Sequence, residues 1–180
     1  EEKNQESSQD NLATSQSSPS NVAADSFQDG LDAFNKKDFK TAYQLFVKLA
    51  KQDNAEAQYH LGLMYGKGRG VSKDYKKAFK WYQLAAEQGH TEAQYNLGLM
   101  YANGQGVLKD DNESIKWWKL SAENGFVLGQ YNLGVKYDIG HGIPQDYKEA
   151  AKWYRLAAEQ GFALGQYNLG MMYEKGDGVS

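Results

Sequence analysis

The sequence predicts an all-α protein, a right-handed superhelix (solenoid) of antiparallel helix pairs, and two observations carry that prediction. The stretch AQYHLGLMYGKGRGVSKDYKKAFKWYQLAAEQG, from Ala57 to Gly89, returns at Ala93 and again from Gly129, and its opening returns a fourth time from Gly165. Tyr59, Tyr95, Tyr131 and Tyr167 are each 36 residues apart, and a fixed period in this range signals stacked repeats. Within the period, apolar residues recur at helical spacing. Such units need no central core, because each buries its apolar face against its neighbours.

Residues 1–25 are rich in Ser, Gln, Asn and Asp and nearly devoid of apolar side chains. They cannot bury enough surface to offset their ordering entropy, so a disordered polar tail is expected there. From Ser26 the pattern turns helical, and residues 26–54 read as a shortened, atypical first unit. Phe27, Leu31 and Phe34 share one face, Phe39, Ala42, Leu45, Phe46 and Leu49 another, and Gly30 takes the place that Gly62 has in the next unit. A tight Asn-Lys-Lys-Asp turn replaces the later glycine loop. Residues 55–180 hold the regular units 55–90, 91–126 and 127–162 and the partial unit 163–180, a lone helix. The stop within a glycine loop suggests a chain that continues past Ser180.

In a full unit the first helix is expected from about Ala55 to Gly66 and the second from Tyr75 to about Gln88. Asp74 stands where an N-cap should, and Asp146 followed by Glu149 forms a capping-box pattern. Gly89, Gly125 and Gly161 follow each second helix, where a left-handed C-cap residue is needed. Ala57, Leu61, Gly62 and Tyr65 share one arc of the first helix. Ala78, Trp81, Tyr82, Ala85 and Ala86 form the complementary stripe on the second. Gly62, Gly98, Gly134 and Gly170 lie in mid-helix, at a cost of about 1 kcal/mol each relative to alanine. A close approach by the second helix accounts for that cost.

These blocks, A-x-Y-x-L-G-x-x-Y, then G-x-G-V, D-Y-x-x-A and W-Y-x-x-A-A-E-Q-G, resemble the Sel-one-like repeat, a relative of the tetratricopeptide repeat. The resemblance covers about residues 55 to 180. The second full unit departs from the pattern, with Asp111 in place of the Tyr after the cap, Ser114-Ile115 in place of Ala-Phe and Trp118 in place of the tyrosine, so local repacking is expected there. The resemblance implies a protein–protein interaction module, in bacteria often exported or periplasmic. The residues themselves leave the cytoplasm open.

Several function classes find no support. Glu1, Glu2, Glu6, Asp10 and Asp25 against Lys3 put −4 of the formal −3 in the first 25 residues, leaving about +1 for the rest. No basic stripe exists to release phosphate counterions, so no nucleic acid is expected as partner. There is no cysteine, hence no thiolate chemistry. No apolar run approaches the roughly 20 residues a spanning helix needs, so no membrane insertion is expected, and the polar start without methionine fits either a chain whose export signal was removed or one cut at that point. The G-x-G pairs lack the strand, third glycine and lysine of a phosphate loop, and turns requiring positive dihedrals explain them. His60, His90 and His141 occupy three different places in the unit and should not converge on a metal. No cofactor is expected. S-x-x-K and G-x-S-x-G are both absent, so an enzyme is not expected, including a penicillin-recognising hydrolase of the kind attached to some cysteine-rich relatives. The acceptor pattern Asn112-Glu113-Ser114 falls at a helix start and reads as chance.

The candidate partner-binding residues lie on the first helices, away from the packing arc. Positions 56, 60, 63 and 67 cluster within about 60° at 100° per residue. Across the units they read Glu56, His60, Leu63, Lys67; Glu92, Asn96, Leu99, Asn103; Leu128, Asn132, Val135, Ile139; and Leu164, Asn168, Met171, Lys175. If the arrangement follows the tetratricopeptide one, this face lines the concave side, where extended peptides or partner helices bind. Its C-terminal half would be an apolar patch flanked by an asparagine ladder at 96, 132 and 168, whose amides can both donate and accept. A competing reading is that the Leu63-type residues pack between adjacent first helices. The expected function is a monomeric adaptor for a protein or peptide partner. The alternative is an inhibitor or immunity-type protein that wraps a secreted enzyme.

Overall fold

The computed structural model describes residues 19–179, with side chains from residue 27. Nine α-helices and no strand occur among them: α1 Pro19–Asn35, α2 Phe39–Ala50, α3 Ala55–Lys67, α4 Tyr75–Glu87, α5 Thr91–Asn103, α6 Asp111–Glu123, α7 Val127–Ile139, α8 Tyr147–Glu159 and α9 Ala163–Lys175. Of the tail expected over residues 1–25, residues 1–18 lie outside the described part. α1 begins at Pro19 rather than at Ser26. Proline suits a first helical position, having no amide proton to place and a φ already preset for the helix.

Each helix packs mainly against the helices before and after it in the chain. The buried side chains accordingly form a row of clusters, each shared between consecutive units. One joins Ala42, Phe46, Leu49 and Ala50 to Ala57, Leu61 and Met64 of the next unit, and the following one joins Tyr65, Ala78, Tyr82 and Ala85 to Ala93, Leu97 and Met100.

The mid-helix glycines are where the pairs touch. A Cβ at Gly62 would lie 2.5 Å from the Tyr82 ring, at Gly98 2.5 Å from Trp118, at Gly134 2.8 Å from Tyr154 and at Gly30 2.8 Å from Phe46. An aromatic ring of each second helix thus packs directly against the backbone of its first helix. At Gly170 nothing comes within 4 Å, because no second helix follows α9 among the described residues.

The helix ends follow from local chemistry. Asp74 accepts from the Lys77 amide at 3.0 Å, and Asp110 and Asp146 cap α6 and α8 in the same way. The second half of the capping box at Asp146 does not form. The Asp146 amide donates instead to the Tyr137 carbonyl at 2.9 Å, and Glu149 meets Lys152 at 3.3 Å. Gly89 has φ 88°, and the His90 amide reaches the Ala85 carbonyl while the Gly89 amide reaches Ala86, both at 3.0 Å. This is the Schellman pattern, repeated at Gly125 and Gly161. The atypical first unit makes the same turns with Lys37 at φ 64° and Asp53 at φ 58°. In the G-x-G loops the first glycine caps the first helix, as at Gly68 with φ 68°. The second, as at Gly106, backs onto the Tyr75 carbonyl, leaving no room for a side chain.

One polar element ties unit to unit. Gln58, Gln94 and Gln130 are buried in the first helices, and each donates to the carbonyl ending the preceding second helix, at Ala50, Ala86 and Ala122, over 3.2, 3.2 and 3.3 Å. Each also accepts from the residue closing its own unit's second helix: Gln88 at 2.7 Å, Asn124 at 3.1 Å and Gln160 at 2.8 Å. The amide satisfies helix ends that would otherwise be buried without a partner.

The glycine contact predicts opposite outcomes at two equivalent positions. Gly98→Leu should destabilise the chain by about 2 to 3 kcal/mol through overpacking. Gly170→Ala, with open space around it, should be neutral or stabilise by about 0.5 to 1 kcal/mol through helix propensity. Denaturant titration of both variants checks this, and equal effects would contradict it.

Candidate functional site

Because first helices touch mainly their own and the preceding second helices, their remaining faces line grooves between units. Leu63, Lys67, Asn96 and Leu99 meet in the groove between α3 and α5, an open pocket of about 270 Å³ completed by Gly66, Lys73, Tyr75, Ala78, Tyr82, Met100 and Gln105. Asn168, Met171 and Lys175 meet in the corresponding groove between α7 and α9, about 190 Å³, with Asp138, Tyr167, Met172 and Asp177.

The other expected residues are not gathered in either pocket. Glu56 is exposed, its carboxylate 3.2 Å from His90 Nε2. His90 Nδ1 accepts from the Ala93 amide at 3.3 Å. The exposed Glu92 carboxylate lies 3.4 Å from the same Nδ1. The His60 ring stacks on Phe46 at 4.9 Å and 10° and lies against Phe27, Phe34 and Tyr59. Asn132 donates to the Tyr95 hydroxyl of the preceding unit at 3.4 Å, so this rung of the ladder has an internal partner. Asn103 is exposed and Leu128 half-buried. Val135 packs against the cluster of Ala150, Ala151, Tyr154 and Met172, whereas Ile139 and Leu164 are 59% and 51% exposed. The expected C-terminal apolar patch is therefore divided between core and surface.

The middle groove, between α5 and α7, is bridged by its own side chains. Lys136 stands where the other units have Met64, Met100 and Met172. Its ammonium lies 3.6 Å from Asp111, donates to His141 Nδ1 at 2.9 Å and sits 5.7 Å above the Trp118 ring. This is the repacking expected at Asp111. A carboxylate in place of tyrosine at that position is matched by a lysine in place of methionine one unit later.

Electrostatics differ along the row. The first groove has Lys67 and Lys73 and no carboxylate in its lining. The third has Asp138 and Asp177 beside Lys175. Tyr82 and Tyr154 are both held above the ordinary tyrosine range, Tyr82 by burial and then by Tyr59, and Tyr154 by burial and then by Asp138. Both hydroxyls stay protonated donors, and Tyr82 lines the first groove. The Tyr154 hydroxyl donates to Asp138 at 3.2 Å.

Lys73, Gln105, Asp138, Asp177 and Tyr82 line grooves but were not among the candidates. The first four lie at or beside the glycine loops, and the same comparison across units would have found them: position 66 reads Gly, Ala, Asp, Glu, position 73 reads Lys, Lys, Gln, and position 105 reads Gln, His, Asp. Among the described residues no three His, Cys, Asp or Glu side chains gather as metal ligands, and no helix is long and apolar enough to cross a membrane.

The family model for the Sel1 repeat matches residues 21–54, 55–90, 91–126, 127–162 and 163–180. A Sel1 repeat protein from Oxalobacter formigenes is similar over 86% of this chain and 63% of its own, at 36% identity and a TM-score of 0.82. A protective antigen of uropathogenic Escherichia coli strains, displaying an SLR fold, is similar over 87% of this chain and 34% of its own, at 42% identity and a TM-score of 0.84. This chain therefore spans less than two thirds of either. Helicobacter pylori cysteine rich protein B is similar over 74% of this chain and 96% of its own, at 25% identity and a TM-score of 0.60. No curated protein matches the chain at significance.

The packing of His60 has a pH consequence. Burial holds its imidazole below the ordinary 6.5, Glu56 opposes the shift and His90 adds to it. The folded state then binds fewer protons than the unfolded one below that value. Stability from neutral His60 is present above about pH 6.5 and is lost as pH falls through the lowered folded value. Thermal melts between roughly pH 7 and pH 5 should fall more steeply for the parent chain than for His60→Phe, and parallel curves would contradict this.

Proposed function

The chain belongs to the Sel1 repeat family, and from that premise we propose that it is a non-enzymatic module that binds a protein or peptide partner along the groove face of its first helices. The family is generally a protein-interaction scaffold. One observation carries the reading to this face. The buried contacts barely change from unit to unit, with Gly62, Gly98 and Gly134 each under an aromatic ring and Gln58, Gln94 and Gln130 each on a helix end. The groove chemistry changes at every step, from basic to internally bridged to acidic. Packing requires the first kind of sameness and gives no reason for the second, whereas an extended partner read at successive positions does.

The asparagine at position 132 and the ring of His60 position their neighbours in this reading, and direct contact falls to Leu63, Lys67, Leu99, Ile139, Met171 and Lys175. The likeness to a protective antigen of uropathogenic strains supports an exported or envelope-associated setting. The chain acts as a monomer, with the row of grooves as the binding surface.

Affinity capture from the source organism tests the face. A Lys67→Glu/Ile139→Lys/Lys175→Glu chain, folded by circular dichroism, should lose partners that the parent captures, with affinity reduced at least about tenfold. A Lys80→Glu/Leu84→Lys/Leu156→Lys chain, altered on the outer second helices, should keep them. The reverse pattern would place the site on the second helices.

A further inference from the structure

Resting on that reading, we infer that the groove between α3 and α5 is a carboxylate site, taking an acidic side chain or a chain end of the partner beside an apolar group. The third groove shows how such a site is satisfied within the chain. There Asp138 accepts from the hydroxyl of Tyr154, the aromatic residue lying on Gly134. In the first groove Tyr82 holds the same place on Gly62, but the position equivalent to Asp138 is Gly66. Tyr82 is 6% exposed as a residue and lines the pocket; its hydroxyl makes no hydrogen bond among the described residues and is not one of the fully buried unpartnered atoms, so it opens onto the groove.

The surroundings are more basic than those of the third groove, where Ile139, Gln145 and Asp177 stand at the positions of Lys67, Lys73 and Gln105. Lys67 and Lys73 line the pocket, and neither forms an ion pair among the described residues. Lys73 is held at the rim by the Tyr75 ring, its ammonium 4.5 Å from the centroid. Gln105 adds an amide where the third groove has Asp177. Hydrogen bonds from ammonium and neutral hydroxyl donors to an ionised carboxylate are the strong kind. Leu63 and Leu99 form the adjoining apolar wall.

The arrangement is testable because the chain contains its own occupant. A Cβ at Gly66 would meet the Ala78 Cβ at 3.7 Å and the Tyr82 hydroxyl at 3.9 Å, ordinary contacts that leave room for Gly66→Asp. That substitution reproduces the third groove and should give Tyr82 an internal partner.

The isotope-labelled full chain is titrated with N-acetyl-leucine, with N-acetyl-leucinamide and with N-acetyl-glutamate α-amide, and amide shifts are followed by nuclear magnetic resonance at Gly66, Asn96 and Gln105. The expected result is binding of the carboxylate probes at least about tenfold tighter than the leucinamide. The stronger of the two carboxylates tells whether a chain end or an acidic side chain is preferred. Gly66→Asp should melt no lower than the parent and lose at least about tenfold in carboxylate affinity, and Lys67→Gln/Lys73→Gln should lose it also. Equal response to acid and amide, or unchanged binding by folded Gly66→Asp, overturns the inference. In that case the wider reading still stands if the groove-face triple variant loses its captured partners, and it falls separately if that variant keeps them.

Discussion

The aromatic ring lying on a mid-helix glycine is the contact from which the rest of the molecule follows. A side chain at Gly62, Gly98 or Gly134 would meet ring atoms of Tyr82, Trp118 or Tyr154 at 2.5 to 2.8 Å, so only glycine lets the pair close. The cost of glycine within a helix, about 1 kcal/mol, is offset by burying a large ring against backbone. That placement also delivers each ring's polar end to a groove or its border. Trp118 donates to the Tyr95 carbonyl at 3.2 Å, Tyr154 to Asp138, and Tyr82 faces the first groove. One packing contact thus sets both the spacing of the pair and the chemistry of the groove floor.

Between units the buried glutamines do the comparable work. Each of Gln58, Gln94 and Gln130 joins three helices, its own and two second-helix ends, through one amide. The first-helix termini divide their roles with them. Asn54 caps α3 through its side chain, while Phe126 and Phe162 give up a capping bond and pack on Tyr95 and Tyr131, each at 5.2 Å. His90 combines the two, accepting from Ala93 and stacking on Tyr59 at 4.5 Å. At α9, where no further pair follows among the described residues, Tyr167 is 64% exposed although its equivalents are half-buried. Stability in such a row is a sum of units and their interfaces.

The period, the helix pairs, the N-caps of the second helices and the close approach of the second helix to the mid-helix glycines were legible in the sequence because each depends on residues close in the chain or at a fixed offset; that the approaching group is an aromatic ring was not. The role of Gln58 was not. A polar side chain three residues before Leu61 reads as exposed, and only the stacked geometry brings the Ala50 carbonyl and the Gln88 amide to it. Glu149 matched a local rule and lost to a distant partner, since the Tyr137 carbonyl already holds the Asp146 amide. The candidate site was half legible. A helical wheel finds Leu63, Lys67, Asn96 and Leu99, but it omits the loop residues Lys73 and Gln105, which reach the same pocket from outside the helix. It also cannot distinguish Val135, half-buried against the Tyr154 cluster as Leu63 is against the Tyr82 cluster, from Ile139, which is exposed.

Amide hydrogen exchange of the chain, alone and bound to a captured partner, tests most directly whether the grooves between first helices are where recognition occurs. Slowed exchange in α3, α5 and α7 and in the loops from Gly68 to Lys73 and Gly104 to Lys109, with α4, α6 and α8 unchanged, is the predicted result. Slowing confined to α4, α6 and α8 would contradict it and assign recognition to the outer helices.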